Sequence, residues 1–256
     1  DWSSDVCSSD LTYTQAITGG TAETGALPEI SLTYQEIDAP VKDIGGFIKM
    51  SENLLADYVA VASFINARLP YQVDRAVEDQ LLNGDGTGSN ITGILNSSGV
   101  QTLAKGGNTI SDLALKLQTK VRWQNMTSNA AQGGFEPTGY IIHPTDWESY
   151  QLAKDANGQY LMKGPFYGAY GVGGSTVEFY TLWGKPVAVS PITAQGTIVC
   201  GAWNMGAQKF DRQGLIIEMS NSDGSDFLSR KITLRGTRRL ALAVYRPGSF
   251  VTGTGL

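Results

Sequence analysis

Residues 58–88 read YVAVASFINARLPYQVDRAVEDQLLNGDGTG. The apolar residues Val61, Phe64, Ile65, Leu69, Val73, Ala76, Val77, Leu81 and Leu82 recur mostly in steps of three or four. That is the spacing of one helix face. Asp57 stands where a cap accepts the first free backbone N–H groups. The pattern predicts one helix over 58–82, about 37 Å long at a rise of 1.5 Å per residue. Pro70 removes a backbone donor near its middle and is expected to kink or split it. Asn83-Gly84 is read as its end, because glycine accepts the left-handed backbone common at a helix C-terminus.

Upstream, the chain reads as extended. Ile30, Leu32 and Tyr34 alternate with polar residues, and Val41, Ile44, Phe47 and Ile48 follow. Period-two alternation is a strand signal. With a turn at Gly19-Gly20, the segment reads as a long hairpin-like arm with too few apolar residues for its own core. Ordering such an arm costs ~1–2 kcal/mol per residue, so it must dock on the rest of the chain or on another subunit. Ser51 and Glu52 are suited to start a short helical turn ahead of the long helix. Residues 1–11, DWSSDVCSSDL, lack a clear period. They resemble translated sequencing-adapter sequence and are set aside as non-native, with no function assigned.

Downstream, helices and strands mix without βαβ regularity. Ser111 and Asp112 open a helix through Leu113, Leu117 and Val121, and Tyr140–Ile142 is a short buried strand. Pro144 opens a helix carrying Trp147 and Tyr150, expected to stop at Asn157-Gly158. Residues 163–175 form a Gly-rich loop. Strands are expected at Pro186–Val189 and Thr197–Cys200 and along Leu215, Ile217 and Met219. After a turn at 221–224 a strand returns from Phe227 to Leu234. Leu240, Leu242 and Val244 mark a separate last strand. The fold class is α+β.

Composition narrows the function. Charged residues are 17% of the 256, and 31 are glycine. The roughly 25% charge usual in soluble domains is not reached, which suits a subunit covered by neighbours. One histidine rules out two-histidine metal motifs, and Cys7 and Cys200 have no metal spacing. A disulfide between them is not expected. No apolar run reaches the ~20 residues of a membrane span, and the start has no secretory pattern. Residues 1–85 hold 14 acids and 4 bases, whereas residues 86–256 hold 10 acids and 15 bases. The densest basic run is Arg230, Lys231, Arg235, Arg238 and Arg239. An isoelectric point near 4.9 argues against a dedicated DNA binder. Balance between an acidic front and a basic back, within or between subunits, is the simpler reading.

Sharper chemical readings fail on spacing. His143 has no Ser or Cys motif beside it, and GxSxG is absent. Gly84–Gly88 lacks the Lys-Ser/Thr of a phosphate loop and follows a helix, not a strand. Asp146 with Glu148, and Asp223 with Asp226, are explained by helix-start and turn chemistry. The Asn90-Ile91-Thr92 sequon is read as chance. No catalytic constellation, cofactor site or metal site is expected. A hydrolase or carbohydrate-binding domain therefore has no residues to support it.

The stretch Asn66–Gly88, above all LLNGDGTG at 81–88, resembles the major capsid proteins of tailed bacteriophages, the Hong Kong ninety-seven fold shared with encapsulins. His143–Trp147 with Lys154–Leu161, Leu182–Val187, and Arg239–Pro247 resemble further segments of that family, in the same order. The resemblance covers roughly residues 12–256. It implies an extended loop over 12–48 and a peripheral domain from 49–96 and 206–239, with a long spine helix and a sheet. It also implies an axial domain from 97–205 and 240–256. The implied function is a structural subunit of an icosahedral shell around double-stranded DNA, in a virion assembled in the host bacterial cytoplasm. Implied partners are pentamers and hexamers of the chain itself, with scaffold, portal and decoration proteins. An encapsulin-like compartment holding an enzyme cargo is the alternative. Some relatives weld their shells by a lysine–asparagine bond promoted by a glutamate. Those positions fall on Leu27, about Arg230 and about Thr237, so no weld is expected. Candidate intersubunit residues are Glu23, Glu29, Glu36, Asp38 and Asp43 of the arm, meeting a neighbour's Arg230, Lys231, Arg235, Arg238 and Arg239. Reversing Arg235 and Arg238 to Glu is expected to impair assembly and leave the monomer folded. Lining of a shell interior is another use for those bases.

Overall fold

The computed structural model describes residues 5–13, 32–57, 59–128, 135–155, 157–159, 181–224 and 226–256, with backbone alone for 5–13, 32–36, 55–66 and 124–128. In chain order the elements are β1 (Asp5–Tyr13), β2 (Leu32–Pro40), β3 (Lys42–Ser51), α1 (Glu52–Asp57), α2 (Val59–Asn83), β4 (Gln101–Ala104) and α3 (Ile110–Ser128). There follow β5 (Gly139–Ile142), α4 (Pro144–Gln151), β6 (Thr181–Leu182), β7 (Lys185–Val189) and β8 (Thr197–Gly201). Last come α5 (Trp203–Gly206), β9 (Ala207–Ser220), β10 (Lys231–Val244) and β11 (Phe250–Thr254). The chain divides into two compact units. The first holds residues 1–8, 36–96 and 208–243, and the second holds 9–35, 97–207 and 244–256.

The first unit is a three-stranded sheet, β3-β10-β9, with α2 on one face. β3 runs antiparallel to β10 from Lys231 opposite Ser51 to Leu240 opposite Lys42. Even-numbered positions of β3 and β10 face the helix. Met50, Leu69 and Leu234 pack with Ile48 and Ile232, and Val73, Val77, Ile91 and Leu240 form the adjoining cluster. Each such fully buried aliphatic side chain contributes about 1.5–3 kcal/mol of transfer free energy. Gly236 sits under the helix. A Cβ there would stand 3.3 Å from both Leu69 Cγ and Val73 Cγ2, so glycine sets how closely α2 approaches the sheet.

α2 runs unbroken through Pro70. Proline has no N–H to give and the helix keeps its course because its apolar face is held on the sheet on both sides of that residue, at Leu69 and at Val73 and Val77. Gly84 ends α2 for another reason than the one expected, because its φ is not in the left-handed region. A Cβ at Gly84 would lie 2.1 Å from the Ile91 carbonyl oxygen and 2.5 Å from that of Gln80. The bare backbone lets the 85–93 turn fold against the helix end. There Gly93 N–H donates to Gly84 O, and the Asn96 amide donates to the carbonyls of Asn83 and Gly84. Asp85 accepts from Thr87 and Asn90, which hold its carboxyl down at about 2.

The second unit is a six-stranded mixed sheet, β4-β11-β8-β5-β7-β6, covered by α3. Leu113, Leu117 and Val121 of α3 are fully buried against Ile142, Ile198, Cys200 and Val251. Tyr140 donates its hydroxyl to Ala114 O at 2.9 Å. Cys200 is a free thiol that burial pushes up to about 12. His143 caps α4, its Nδ1 accepting from Thr145 N. Asp146 is buried and accepts from Gly196 N–H at 2.7 Å, tying α4 to the turn before β8.

Several expectations need correction. Of the hairpin-like arm read over 12–48, β2 pairs with β1, whereas β3 pairs with β10 and belongs to the sheet of the first unit. Residues 5–13, which overlap the segment 1–11 read as lacking a period, form a strand. β10 is one 14-residue strand, not two, and β11 was not foreseen. α4 ends at Gln151, and Asp155–Gly158 is a separate turn closed by the Gly158 N–H to Asp155 O bond. The loop 163–175 lies outside the described residues.

Candidate assembly surface

The face of the β3-β10-β9 sheet opposite α2 carries the odd-numbered residues of β3 and β10. β3 supplies Asp43, Gly45, Phe47 and Lys49, and β10 supplies Thr233, Arg235, Thr237 and Arg239. The strand register sets Arg235 opposite Phe47 and Arg239 opposite Asp43. A shallow hollow of about 410 Å³ opens on this face, lined by Phe47, Glu218, Ser220, Asp223, Thr233 and Arg235. Phe47 is 65% exposed on it. Beyond it, the β9–β10 turn projects Phe227 (72% exposed) and Leu228 (86% exposed). Apolar residues exposed singly are ordinary, whereas large ones grouped on one region of surface are candidates for a contact site.

Ion pairs hold the turn and the strands in place. Lys49 Nζ bonds Asp223 at 2.6 Å and Asp226 at 3.0 Å, and Asp226 also accepts from Thr233 Oγ1 at 2.8 Å. The hydrogen bonds to Asp223 and Asp226 raise Lys49, and those from Lys49 and Thr233 lower Asp226. The carbonyl of Arg230 accepts from Glu52 N–H at 2.9 Å, with Arg230 at φ 49°. Arg235 pairs with Glu218 across to β9.

The predicted basic run is therefore largely neutralised within its own chain. Arg239 Nε bonds Asp43 at 2.6 Å. Arg238 points to the helix side, bonding Asp74 of α2 at 2.8 Å and Asp211 of β9 at 3.2 Å. Burial pushes the Asp211 carboxyl up, but Lys209 and Arg238 together outweigh it and hold the group below its usual value. Arg230 and Lys231 make no ion pair among the described residues. Of the predicted acids, Asp38 is exposed, Asp43 meets Arg239, and Glu36 lies in β2. Glu23 and Glu29 lie outside the described residues, as does Leu27. Arg238 is no free surface charge. A glutamate there would face Asp74 and Asp211, so its reversal is expected to destabilise the monomer itself. Sequence reasoning did not pick out Phe47, Phe227 or Leu228. The available signal was an apolar pair directly after the polar turn SDGSD at 222–226. Among the described residues, no three His, Cys, Asp or Glu side chains are grouped to hold a metal, and no helix is long and apolar enough to cross a membrane.

A family model described as the phage capsid family matches residues 10–255. The chain belongs to the phage capsid family. It is 31% identical over 235 residues to the major capsid protein of Enterobacteria phage HK97. That alignment takes in 91% of this chain but 56% of the relative, so the chain spans just over half of that protein's length. Among solved structures, the capsid of an empty GTA particle superposes with a TM-score of 0.72 at 16% identity, covering 99% of this chain and 85% of the other. A chain from Microbacterium phage Oxtober96 superposes with a TM-score of 0.71 at 14% identity, covering 98% and 86%. At these identities the superpositions establish the fold. The α+β architecture is that of a phage capsid protein.

Proposed function

We propose that this chain is a structural major capsid subunit that self-assembles into an icosahedral shell enclosing double-stranded DNA. The observation that carries the reading is the exposed Phe47 on the outer face of the β3-β10-β9 sheet, together with the exposed Phe227 and Leu228 of the β9–β10 turn. A subunit that leaves such a surface open is completed by copies of itself, through contacts repeated by closed symmetry in pentamers and hexamers. The similar proteins named above are capsids of phages and of a GTA particle, which favours a genome over an enzyme cargo. In this reading 12–48 is the extended loop, 49–96 with 206–239 the peripheral domain, and 97–205 with 240–256 the axial domain. The shell is a virion capsid formed in the host bacterial cytoplasm, with scaffold, portal and decoration proteins as partners. Arg230 and Lys231 are the cations left for a neighbour's Glu23, Glu29, Glu36 and Asp38. With Leu27, Arg230 and Thr237 at the welding positions, denatured shells run as monomers on a gel. A ladder of higher masses would contradict that.

Electron microscopy of the purified protein tests the main reading. Closed shells are expected from the wild type, and a folded subunit without shells from the variant Phe47→Ser, Phe227→Ser, Leu228→Ser. Shells that form equally well from the triple variant overturn the assignment of this surface. A wild type that stays monomeric at high concentration overturns the shell.

A further inference from the structure

The arginines of β10 are cancelled in cis, but three lysines of the second unit are not. Lys105, Lys116 and Lys120 make no ion pair with any carboxylate among the described residues. We propose that these three form a contact strip for the phosphate backbone of double-stranded DNA. The proposal rests on the shell reading for the source of the DNA.

Neutral groups position these lysines. Lys116 Nζ donates to Asn108 Oδ1 at 2.6 Å, and the Asn108 amide in turn donates to the Lys105 carbonyl at 2.6 Å. Lys120 Nζ donates to Thr102 O at 2.9 Å. Lys105 is fixed through its backbone N–H on Thr254 O at 2.8 Å. A neutral acceptor orients an ammonium without cancelling its charge, and each ammonium has further donors to give. The helix places Lys116 and Lys120 one turn apart, about 6 Å along its axis, on the side that reaches β4 and the turn after it. That turn is Lys105-Gly106-Gly107-Asn108. A Cβ on either glycine would meet nothing within 4 Å, so the backbone between the lysines is open to close approach. Among the described residues, Asp112 is a carboxylate near the strip, and Lys116 attracts it electrostatically. Its Oδ2 is engaged by the N–H and hydroxyl of Thr109 at the start of α3, and it leaves the strip with a net positive charge.

The chemistry favours phosphate over an acidic protein segment. A protein partner is held chiefly by buried aromatic or apolar anchors. The strip offers Thr102, Ala104, Gly106 and Gly107 between its cations, and the exposed apolar side chains of α3, Leu115 and Trp123, lie outside the span from Lys116 to Lys120. Flexible ammonium groups on a small, polar surface suit contacts that neutralise phosphate without reading sequence.

The test is fluorescence anisotropy of a random-sequence duplex of about 30 base pairs, titrated with the full chain over a series of salt concentrations. For three phosphate contacts the slope of log K against log salt is expected to fall in magnitude by roughly 2.7 in the Lys105→Gln, Lys116→Gln, Lys120→Gln variant. The corresponding triple arginine variant should restore it. An unchanged slope in the glutamine variant overturns the proposal. So does an unchanged slope combined with lost binding of a synthetic peptide spanning residues 22–41, which would make the strip an acceptor of the acidic arm. Micrographs of the same samples report shell formation separately. A null slope beside intact shells thus sinks the strip and leaves the shell reading standing.

Discussion

The two sheets of this chain solve burial in opposite ways. The six-stranded sheet encloses its core within its own unit, with Leu113, Leu117, Val121, Ile142 and Ile198 wholly inaccessible. Its edges are blunted as well. β6 is two residues long, and the four-residue β4 has Lys120 on the Thr102 carbonyl. The three-stranded sheet covers one face with α2 and leaves the other to solvent, and its edge strand β9 runs for 14 residues. Ile216, Ile217 and Met219 of that strand are all exposed. The difference teaches that one unit closes its core within itself, while the other leaves a sheet face and a long edge exposed. A long edge and a bare apolar face are aggregation hazards in an isolated protein. On the proposed shell reading, neighbouring copies cover them.

The largest expected effect lies in the closed core. Leu117→Ala should cost about 3–5 kcal/mol in denaturant unfolding, the upper part of the range for a buried leucine. Leu234→Ala, in the half-covered sheet, should cost about 2–3 kcal/mol, because α2 can settle toward the space left. Equal losses at the two sites would break the contrast.

An intermediate effect concerns pH. Hydrogen bonds from Arg122 and Lys185 hold the Glu136 carboxyl at about 2, well below its usual 4.5. A carboxyl depressed in the folded state stabilises it above the ordinary value. That contribution is lost as pH falls from about 4.5 through about 2. Thermal melts of Glu136→Gln should therefore lose less stability across that window than wild type. Parallel pH profiles for the two proteins would remove Glu136 as the cause.

The smallest effect is expected at the projecting turn. Phe227→Ser with Leu228→Ser should change monomer stability by no more than about 0.5 kcal/mol, since neither side chain is buried. A larger loss, read from the same denaturant curves, would mean that the turn is part of the subunit's own core and would sharpen the comparison in the other direction.

What the sequence revealed follows from range. α2 was legible because its apolar spacing persists over 25 residues. β10 was read as two strands because Gly236 and Arg238 interrupt the apolar alternation on its helix-facing side. The first makes room for Leu69 and Val73, and the second reaches Asp74 and Asp211. The pairing of Asp43 with Arg239 spans 196 positions and depends on the register of β3 against β10, which no local pattern encodes. Both residue types were singled out, but a pairing within one chain and a pairing between chains look alike from composition. Phe47, Phe227 and Leu228 were hidden because an apolar residue reads as core until its exposure is seen.

Pro70 has a mechanical consequence. A proline inside α2 leaves the carbonyl of Asn66 without its usual N–H four residues on, so the rod has one missing rung. Just beyond that rung, Leu69 and Val73 straddle Gly236. The beam is thus thinnest in its own bonding where its bracing against the strand below is tightest. Any bending load on the helix is borne by side-chain packing at that point, and a bulkier residue at 236 would lift the brace off the joint.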